Sequence, residues 1–180
     1  MANLKNLTDM SVYVGTYRKY NEGSLFGNWL NLSDYSDYGE LVAAMRELHK
    51  DEGEDAEFML QDYEISPLFE SLGLVSESHI SSEIYEVWVK VQESGYDLEV
   101  LEAYADCWGS FDTIDEILEQ VEESYSGKYD SDEDFAENLL IDTCCIPKDL
   151  PAYIYIDWER TARDIMMDYS TSNGYYFRNV

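Results

Sequence analysis

Positive charge is the property that this sequence has least of. Its 180 residues include 11 lysines and arginines against 39 aspartates and glutamates, which gives a formal net charge of -28. Nucleic acid and anionic lipid carry charge of the same sign, so the balance argues against direct binding of the chain to either. The chain is nonetheless 45% hydrophobic and 14% aromatic, which is too apolar for a disordered acidic tail. We therefore expect a folded protein.

Long apolar runs, cysteines and histidines are also scarce. No segment approaches the length of a membrane span, and the start "MANLKNLTDM" has no basic-then-apolar signal pattern, so we expect a cytoplasmic protein. Three cysteines do not make a disulfide framework, and their spacing is not that of a zinc site, so we expect reduced thiols that are buried or inert at Cys107, Cys144 and Cys145. We expect the two histidines, His49 and His79, to be ordinary surface or core residues.

Negative charge is concentrated in the middle of the chain. Residues 1–50 and residues 148–180 each carry a net charge of -1. Residues 51–147, the acidic block, hold 28 acidic residues against only Lys90 and Lys128, a net charge of -26. A general adaptation to high salt would coat the whole surface, so this block predicts a localised functional surface.

Residue patterns in the first third of the chain predict two strands, a helix and a third strand. The strands lie in "SVYVGTYRKYNEGSLFGNWLNL", joined by a turn, and in "AEFMLQDYEI". Between them, Asp37 and Glu40 have capping-box spacing and open a helix that continues to about Lys50. A small antiparallel sheet plus one helix would form an N-terminal α+β domain over residues 1–65.

The remaining sequence predicts a central helical domain and a second α+β domain. Residues 66–108 contain the helical segments "EIYEVWVKVQES" and "YDLEVLEAYADCW". Residues 109–180 contain the helix "DTIDEILEQVEESY", a second helix from near Ser131, a strand in "AYIYI", a helix in "DWERTARDIMM" and a closing strand in "GYYFRNV". The fold class is therefore predicted to be α+β with three small domains, the middle one a helical bundle.

The helix after Phe111 separates its acidic and apolar residues into two opposite arcs. Six carboxylates between Asp112 and Glu123 span about 16 Å of helix, or roughly one charge per 3 Å. One strand of B-DNA carries a phosphate about every 3.4 Å, so the two charge densities are similar. Six like-charge pairs at i,i+3 or i,i+4 would cost about 0.2–0.5 kcal/mol each. A single acidic helix is typical of a solvated face, but the extension of the charge over residues 51–147, with only two cations, favours a binding function.

Fifteen acidic residues are the candidate carboxylates for binding a basic partner. They lie on the acidic helix, around the start of the next one, and on the two central helices. The candidate carboxylates are Glu83, Glu86, Glu93, Glu99, Glu102, Asp112, Asp115, Glu116, Glu119, Glu122, Glu123, Asp130, Asp132, Glu133 and Asp134.

Metal binding and catalysis have weaker support in the sequence. The segment "DSDEDFAENLLI" has Phe135 where a calcium loop needs glycine and Ile141 where it needs glutamate. No glycine-rich phosphate loop, H-E-x-x-H or G-x-S-x-G motif is present, and among 39 acids no glycosidase pair can be nominated. We expect no catalytic residue, metal or cofactor, while an acidic calcium-binding or salt-adapted protein stays open as the alternative.

Four stretches, in this order, resemble the ArdA family of antirestriction proteins: "VYVGTYRKYNEGSLFGNWLNLSDY", "ELVAAMRELHKDEGEDAEFMLQDYE", "YSGKYDSDEDFAENL" and "IDWERTARDIMMDYS…GYYFRNV". The resemblance implies a non-enzymatic DNA mimic from a mobile element that binds type I restriction–modification enzymes where DNA would bind. It also implies an elongated three-domain protomer, a homodimer, and an acidic antirestriction stretch within Asp112–Asp134. Two positions depart from the family pattern, Lys128 in place of an acid and Thr161 in place of an aromatic residue.

Overall fold

The computed structural model describes residues 10–53, 55–109, 111–147, 149–151 and 153–179. Within these ranges the chain forms α-helices and three small antiparallel sheets, which confirms the α+β class. Residue contacts divide the chain into two compact units. The first unit falls within residues 1–98 and 110–115, and the second within residues 99–109 and 116–180. The three-domain division at 65/66 and 108/109 stays a prediction.

A three-stranded antiparallel sheet lies in the first unit. Its strands are β1 (Ser11–Thr16), β2 (Asn28–Asn31) and β3 (Phe58–Glu64), in the order β2-β1-β3. The predicted pair of N-terminal strands is confirmed, and the connection between them contains a short helix, α1 (Tyr17–Asn21). Alternate residues of a strand share one face of a sheet. One face of β1 is completely buried and is formed by Val12, Val14 and Thr16.

One residue interrupts the pairing of β1 with β3. Tyr13 lies opposite Asp62 and Val14 lies opposite Leu60, so Gln61 is the extra residue of a bulge. Met59 and Leu60 lie opposite Gly15 and Val14 in regular register, so their side chains point to opposite faces of the sheet, and both are buried. Both faces of the sheet are therefore covered at this point.

The predicted capping box opens helix α2 (Tyr38–Leu48). The Asp37 carboxylate accepts a hydrogen bond of 2.9 Å from the backbone N–H of Glu40. The Glu40 carboxylate accepts one of 2.9 Å from the backbone N–H of Ser36, one residue earlier than the usual return bond. The helix ends two residues before the predicted end, and a 3₁₀ turn at Lys50–Glu52 follows it.

The rest of the first unit combines helices with a short hairpin. Helix α3 (Pro67–Ser71) precedes β4 (Val75–Ser76) and β5 (His79–Ile80), two antiparallel strands that the sequence did not predict. Helix α4 (Ile84–Ser94) follows them. The helix predicted in this segment is confirmed, and four of its apolar residues at helical spacing are buried: Ile84, Val87, Trp88 and Val91.

Aromatic side chains form the core of the second unit. Its sheet has the order β6-β8-β7, from β6 (Tyr125–Lys128), β7 (Tyr169–Ser172) and β8 (Tyr175–Arg178). Phe135 stacks on Tyr176 at 4.4 Å between ring centroids. The helices with residues in this unit are α5 (Leu98–Trp108), α6 (Ile114–Ser124), α7 (Asp132–Asp142) and α8 (Trp158–Ile165).

Two sequence-based expectations are wrong in the second unit. The "AYIYI" segment forms no strand over residues 153–156, and Ala152 lies outside the described residues. Alternation alone does not make a strand, because a strand needs a hydrogen-bonded neighbour, and the side chains of Tyr153 and Tyr155 are 81% and 89% exposed. Cys144 and Cys145 are exposed in the turn after α7, so burial is wrong for these two thiols, and the alternative expectation that they are inert stays a prediction.

Both histidines take the ordinary positions that the sequence predicts. His49 is completely buried and His79 is exposed on β5. In the described part of the chain, no helix combines the length and apolar character that crossing a bilayer would need.

Candidate functional site

Helix α6 has the two opposite faces that the sequence predicts. Ile114, Ile117 and Val121 are buried. The side chains of the five acidic residues on the helix are exposed: Asp115, Glu116, Glu119, Glu122 and Glu123. The helix is thus attached to the protein by its apolar face and presents a row of carboxylates to solvent.

Helix α6 begins later than the sequence predicts, so fewer pairs of like charges lie within it. Asp112 lies before the helix, since α6 begins at Ile114. The like-charge pairs expected for Asp112 with Asp115 and with Glu116 therefore fall outside the helix. Four pairs at i,i+3 or i,i+4 remain within it, and Glu119 is a member of every one of them.

The first turn of α7 carries three more candidate carboxylates. The helix begins next to Ser131, as predicted, and the Ser131 hydroxyl caps it by accepting a hydrogen bond of 3.1 Å from the backbone N–H of Asp134. The Asp132 carboxylate accepts one of 2.7 Å from the Tyr176 hydroxyl. Burial together with this bond raises the pKa of Tyr176 far above its ordinary value, so the phenol stays protonated. Asp132 and Asp134 are exposed, and Glu133 is half-buried.

Helix α4 presents a second acidic stripe, in the first unit. Glu86 and Glu93 lie on its exposed side, and Glu83 immediately precedes it. Lys90 lies between Glu86 and Glu93 on the same side, and its ammonium nitrogen is 3.8 Å from Glu86 Oε1 and 2.7 Å from Asp115 Oδ2. The hydrogen bond to Asp115 raises the pKa of Lys90 above its ordinary value, so the cation is retained at neutral pH.

A small cavity lies where the α4 stripe meets the segment before α6. Its volume is about 180 Å³. Lys90 lines it together with four carboxylates of the first unit: Glu83, Glu86, Asp112 and Asp115. Leu72, Leu74, Val87 and Ile114 supply its apolar walls. The structure thus brings candidate carboxylates from two separate sequence segments around one cation.

Exposure is the property that the candidate carboxylates share. Thirteen of the fifteen are exposed, and the other two, Glu102 and Glu133, are half-buried. Five of them belong to the first unit: Glu83, Glu86, Glu93, Asp112 and Asp115. The other ten belong to the second unit: Glu99, Glu102, Glu116, Glu119, Glu122, Glu123, Asp130, Asp132, Glu133 and Asp134.

Further exposed acids of the acidic block lie outside the candidate set. The candidates were chosen by their positions on predicted helices, and this criterion missed the further acids. The high density of acidic residues in the block would have indicated them. These exposed residues are Asp51, Asp55, Glu57, Asp62, Glu64, Glu70, Glu77, Asp97, Asp106, Glu137 and Asp142.

Lys128, the other cation of the acidic block, is held in a different way from Lys90. Its ammonium group donates a hydrogen bond of 3.1 Å to the Tyr175 hydroxyl and lies 4.5 Å from the centroid of that ring. The contact with Tyr175 raises the pKa of Lys128 above its ordinary value. The positive charge that interrupts the acidic sequence is therefore fixed against a tyrosine of β8.

A separate polar cluster at the edge of the first sheet has a structural role. Buried His49 bonds through Nε2 to the Val14 carbonyl at 3.1 Å, and its Nδ1 is 3.3 Å from Lys19 Nζ. A carbonyl only accepts, so Nε2 carries the proton and Nδ1 accepts from the lysine. Lys19 also forms ion pairs with Asp51 at 2.9 Å and Glu52 at 3.4 Å.

The cluster affects the acid–base properties of Asp51. The hydrogen bond from Lys19 lowers the pKa of Asp51 below its ordinary value of 3.8. Burial opposes the charge on Lys19, but the bonds to Asp51 and Glu52 prevail and the pKa of the lysine is raised. These contacts tie the 3₁₀ turn after α2 to helix α1.

The described residues contain no group of three or more histidines, cysteines, aspartates or glutamates arranged to hold a metal ion. Despite their number, the carboxylates are thus spread along helices and turns. This arrangement offers a distributed array of anionic oxygens.

Taken together, fold and surface define an acidic α+β protein whose carboxylates lie on exposed helix faces. The family model described as "Antirestriction protein (ArdA)" matches residues 12–177. The chain therefore belongs to the ArdA family of antirestriction proteins and acts against restriction enzymes. Comparison with curated proteins gives no match.

Proposed function

We propose that this protein is a DNA mimic that inhibits type I restriction–modification enzymes by binding in their DNA-binding groove. The candidate carboxylates would take the places of DNA phosphates and accept bonds from the arginines and lysines of the groove. In this proposal the protein is not an enzyme, needs no cofactor, and acts in the cytoplasm as a homodimer.

The proposal rests on one observation, the exposure of the acidic block. Twenty-seven of its 28 acidic residues are described, and 24 of these are exposed. Glu102 and Glu133 are half-buried, and the side chain of Glu52 is only 5% exposed. On α6, five carboxylates lie within nine residues of helix, about 12 Å of axis, a spacing close to that of phosphates along one DNA strand. A basic groove would neutralise the repulsion that such crowding creates.

The homodimer rests on the family resemblance and on apolar surface in the second unit. Tyr153, Ile154, Tyr155 and Met167 are all exposed large apolar side chains. A second copy of the chain would cover such side chains, and two copies would double the length of acidic surface available to the enzyme.

A cleavage assay tests the proposed function. Unmodified plasmid carrying target sites is incubated with a type I restriction–modification enzyme and increasing amounts of the protein. We expect cleavage to stop at low salt and the inhibition to weaken as salt rises, because the ion pairs with the groove are screened. Cleavage that continues at saturating protein and low salt would reject the proposal.

The alternative is an acidic calcium-binding or salt-adapted protein without a macromolecular target. The near-neutral charge of the two chain ends disfavours salt adaptation, which would charge the whole surface. Thermal melting separates the two functions. The alternative requires millimolar Ca²⁺ or high salt to raise the melting temperature of a protein that leaves restriction cleavage unaffected.

A further inference from the structure

We infer that Lys90 keeps the acidic surface below its full affinity for a basic partner and at the same time stabilises the first unit. The inference rests on the proposed function and concerns the regulation of the same surface. Lys90 is a cation of the protein itself, at a place where the proposed partner would provide an arginine or a lysine.

The position of Lys90 is the first argument. Glu86, Lys90 and Glu93 follow one another at spacings of four and three residues, so they share one side of α4. The lysine therefore interrupts a row of carboxylates. Its side chain is 35% exposed, which places the ammonium group at the surface where a partner would meet it.

The bonds of Lys90 are the second argument. Its ammonium nitrogen lies 2.7 Å from Asp115 Oδ2 and 3.8 Å from Glu86 Oε1, so one cation bridges α4 and the first turn of α6. Glu83 and Asp112 line the same cavity. Without Lys90, four carboxylates would surround this cavity with no cation between them, and their repulsion would destabilise the first unit.

The contrast with Lys128 is the third argument. The hydrogen bond that Lys128 donates goes to the uncharged hydroxyl of Tyr175. The bonds of Lys90 go to two candidate carboxylates. Lys90 already compensates part of the charge of Asp115 and Glu86. A partner arginine that binds one of these carboxylates therefore gains less than it would from a carboxylate whose only partner is water.

Three variants test the inference. Lys90→Met keeps the aliphatic length of the side chain and removes its charge, whereas Lys90→Arg keeps the charge. Lys50→Met is the matched control, since Lys50 forms an ion pair of 2.6 Å with Glu47 but lies outside the acidic block. Lys90→Met and Lys50→Met change the net charge equally, so only the position of the removed charge differs.

The measurement is displacement of a labelled duplex from a type I restriction–modification enzyme, combined with thermal melting. We expect Lys90→Met to displace the duplex at about two- to fivefold lower concentration than the wild type at low salt, with a steeper salt dependence. We expect its melting temperature to fall, while Lys90→Arg and Lys50→Met behave like the wild type in displacement.

The outcomes separate this inference from the proposed function. If the wild type displaces the duplex while Lys90→Met and Lys50→Met displace it equally, Lys90 has no special role and the inference alone is overturned. Weaker displacement by Lys90→Met also overturns it, because the lysine would then position the carboxylates for binding. A folded wild type that displaces no duplex at low salt overturns both.

Discussion

At the scale of single residues, one hydroxyl fixes the start of the helix that carries three candidate carboxylates. Ser131 accepts the hydrogen bond from the Asp134 N–H that no residue inside α7 can accept. We predict that Ser131→Ala lowers the free energy of unfolding by about 0.5–2 kcal/mol, measured by urea denaturation. Ser131→Thr keeps the hydroxyl and is expected to retain most of the stability. Equal loss in both variants would show that the cap is not the cause.

The ion pair between Lys19 and Asp51 predicts a residue-scale dependence on pH. Because the pKa of Asp51 is lower in the folded state than its ordinary value of 3.8, ionised Asp51 stabilises the fold. This contribution is present above pH 3.8 and is lost as the pH falls through the lower, folded-state pKa.

We therefore predict that Asp51→Asn melts at a lower temperature than the wild type at about pH 7. The difference should close as the pH falls through the lower, folded-state pKa of Asp51, since both side chains are then uncharged. Melting curves from about pH 7 down to about pH 2 measure it, with the nearby exposed residue changed in Asp55→Asn as the control. A difference that persists unchanged in acid would contradict the assigned role of the ion pair.

At the scale of elements, repulsion between the carboxylates of α6 destabilises the helix, and Glu119 takes part in most of this repulsion. All four like-charge pairs within the helix include Glu119, and each costs about 0.2–0.5 kcal/mol. We predict that Glu119→Gln raises the free energy of unfolding by about 1–2 kcal/mol at low salt. Glu123→Gln removes one of these pairs, and its gain should be about a quarter as large.

Urea denaturation at low and high salt checks this prediction, because salt screens the repulsion and should remove most of the difference. If Glu119→Gln and Glu123→Gln raise the free energy of unfolding equally, the repulsion within α6 is not concentrated at Glu119. If the gain is larger for Glu119→Gln, Glu119 is the carboxylate that destabilises α6 most. Its presence would then show that the proposed binding function lowers the stability of the helix.

The success of prediction from sequence also differs from element to element. Helix α6 was predictable because its apolar and acidic residues separate cleanly at about 100° per residue. Helix α2 was predictable from the capping spacing of Asp37 and Glu40, and α7 from the three acidic residues that follow Ser131. The strands β4 and β5 have only two residues each, too few to show a period.

The sequence predicted which residues make up the candidate site. It did not predict how these residues are arranged in space. The charge of the acidic block is a property of the sequence, and so is the exposure of one face of an amphipathic helix. The bond between Lys90 and Asp115 joins residues 25 positions apart, and no local pattern indicates it. Whether Tyr153 and Tyr155 would find a partner strand was equally inaccessible, because pairing depends on tertiary structure.

At the scale of the whole molecule, mimicry by many carboxylates predicts tolerance of single changes and strong effects of multiple changes. We predict that Glu119→Gln alone changes the inhibitory concentration less than about fivefold. Changing Glu116, Glu119, Glu122 and Glu123 together to glutamine should weaken inhibition strongly and reduce the slope of log affinity against log salt by about one for each ion pair that is removed. The restriction-cleavage assay measures both, and abolition by one single change would contradict distributed mimicry.

The proposed homodimer predicts that exposed apolar residues of the second unit are covered in solution. We predict a dimer mass for the wild type by light scattering, and a shift toward monomer when Tyr153 and Tyr155 are both changed to serine. Tyr20, an exposed tyrosine of the first unit, provides the control in Tyr20→Ser. An unchanged dimer in the double variant would place the interface elsewhere, and a monomeric wild type would contradict the dimer.

Mutual exclusion on the enzyme tests the central claim most directly. A type I restriction–modification enzyme is mixed with a duplex carrying its target site and with this protein, each labelled with a different fluorophore, at two salt concentrations. We predict that no enzyme particle carries both labels, that the protein displaces the duplex near one dimer per DNA site, and that higher salt weakens its binding. A stable particle that carries enzyme, duplex and protein together would contradict binding in the DNA groove.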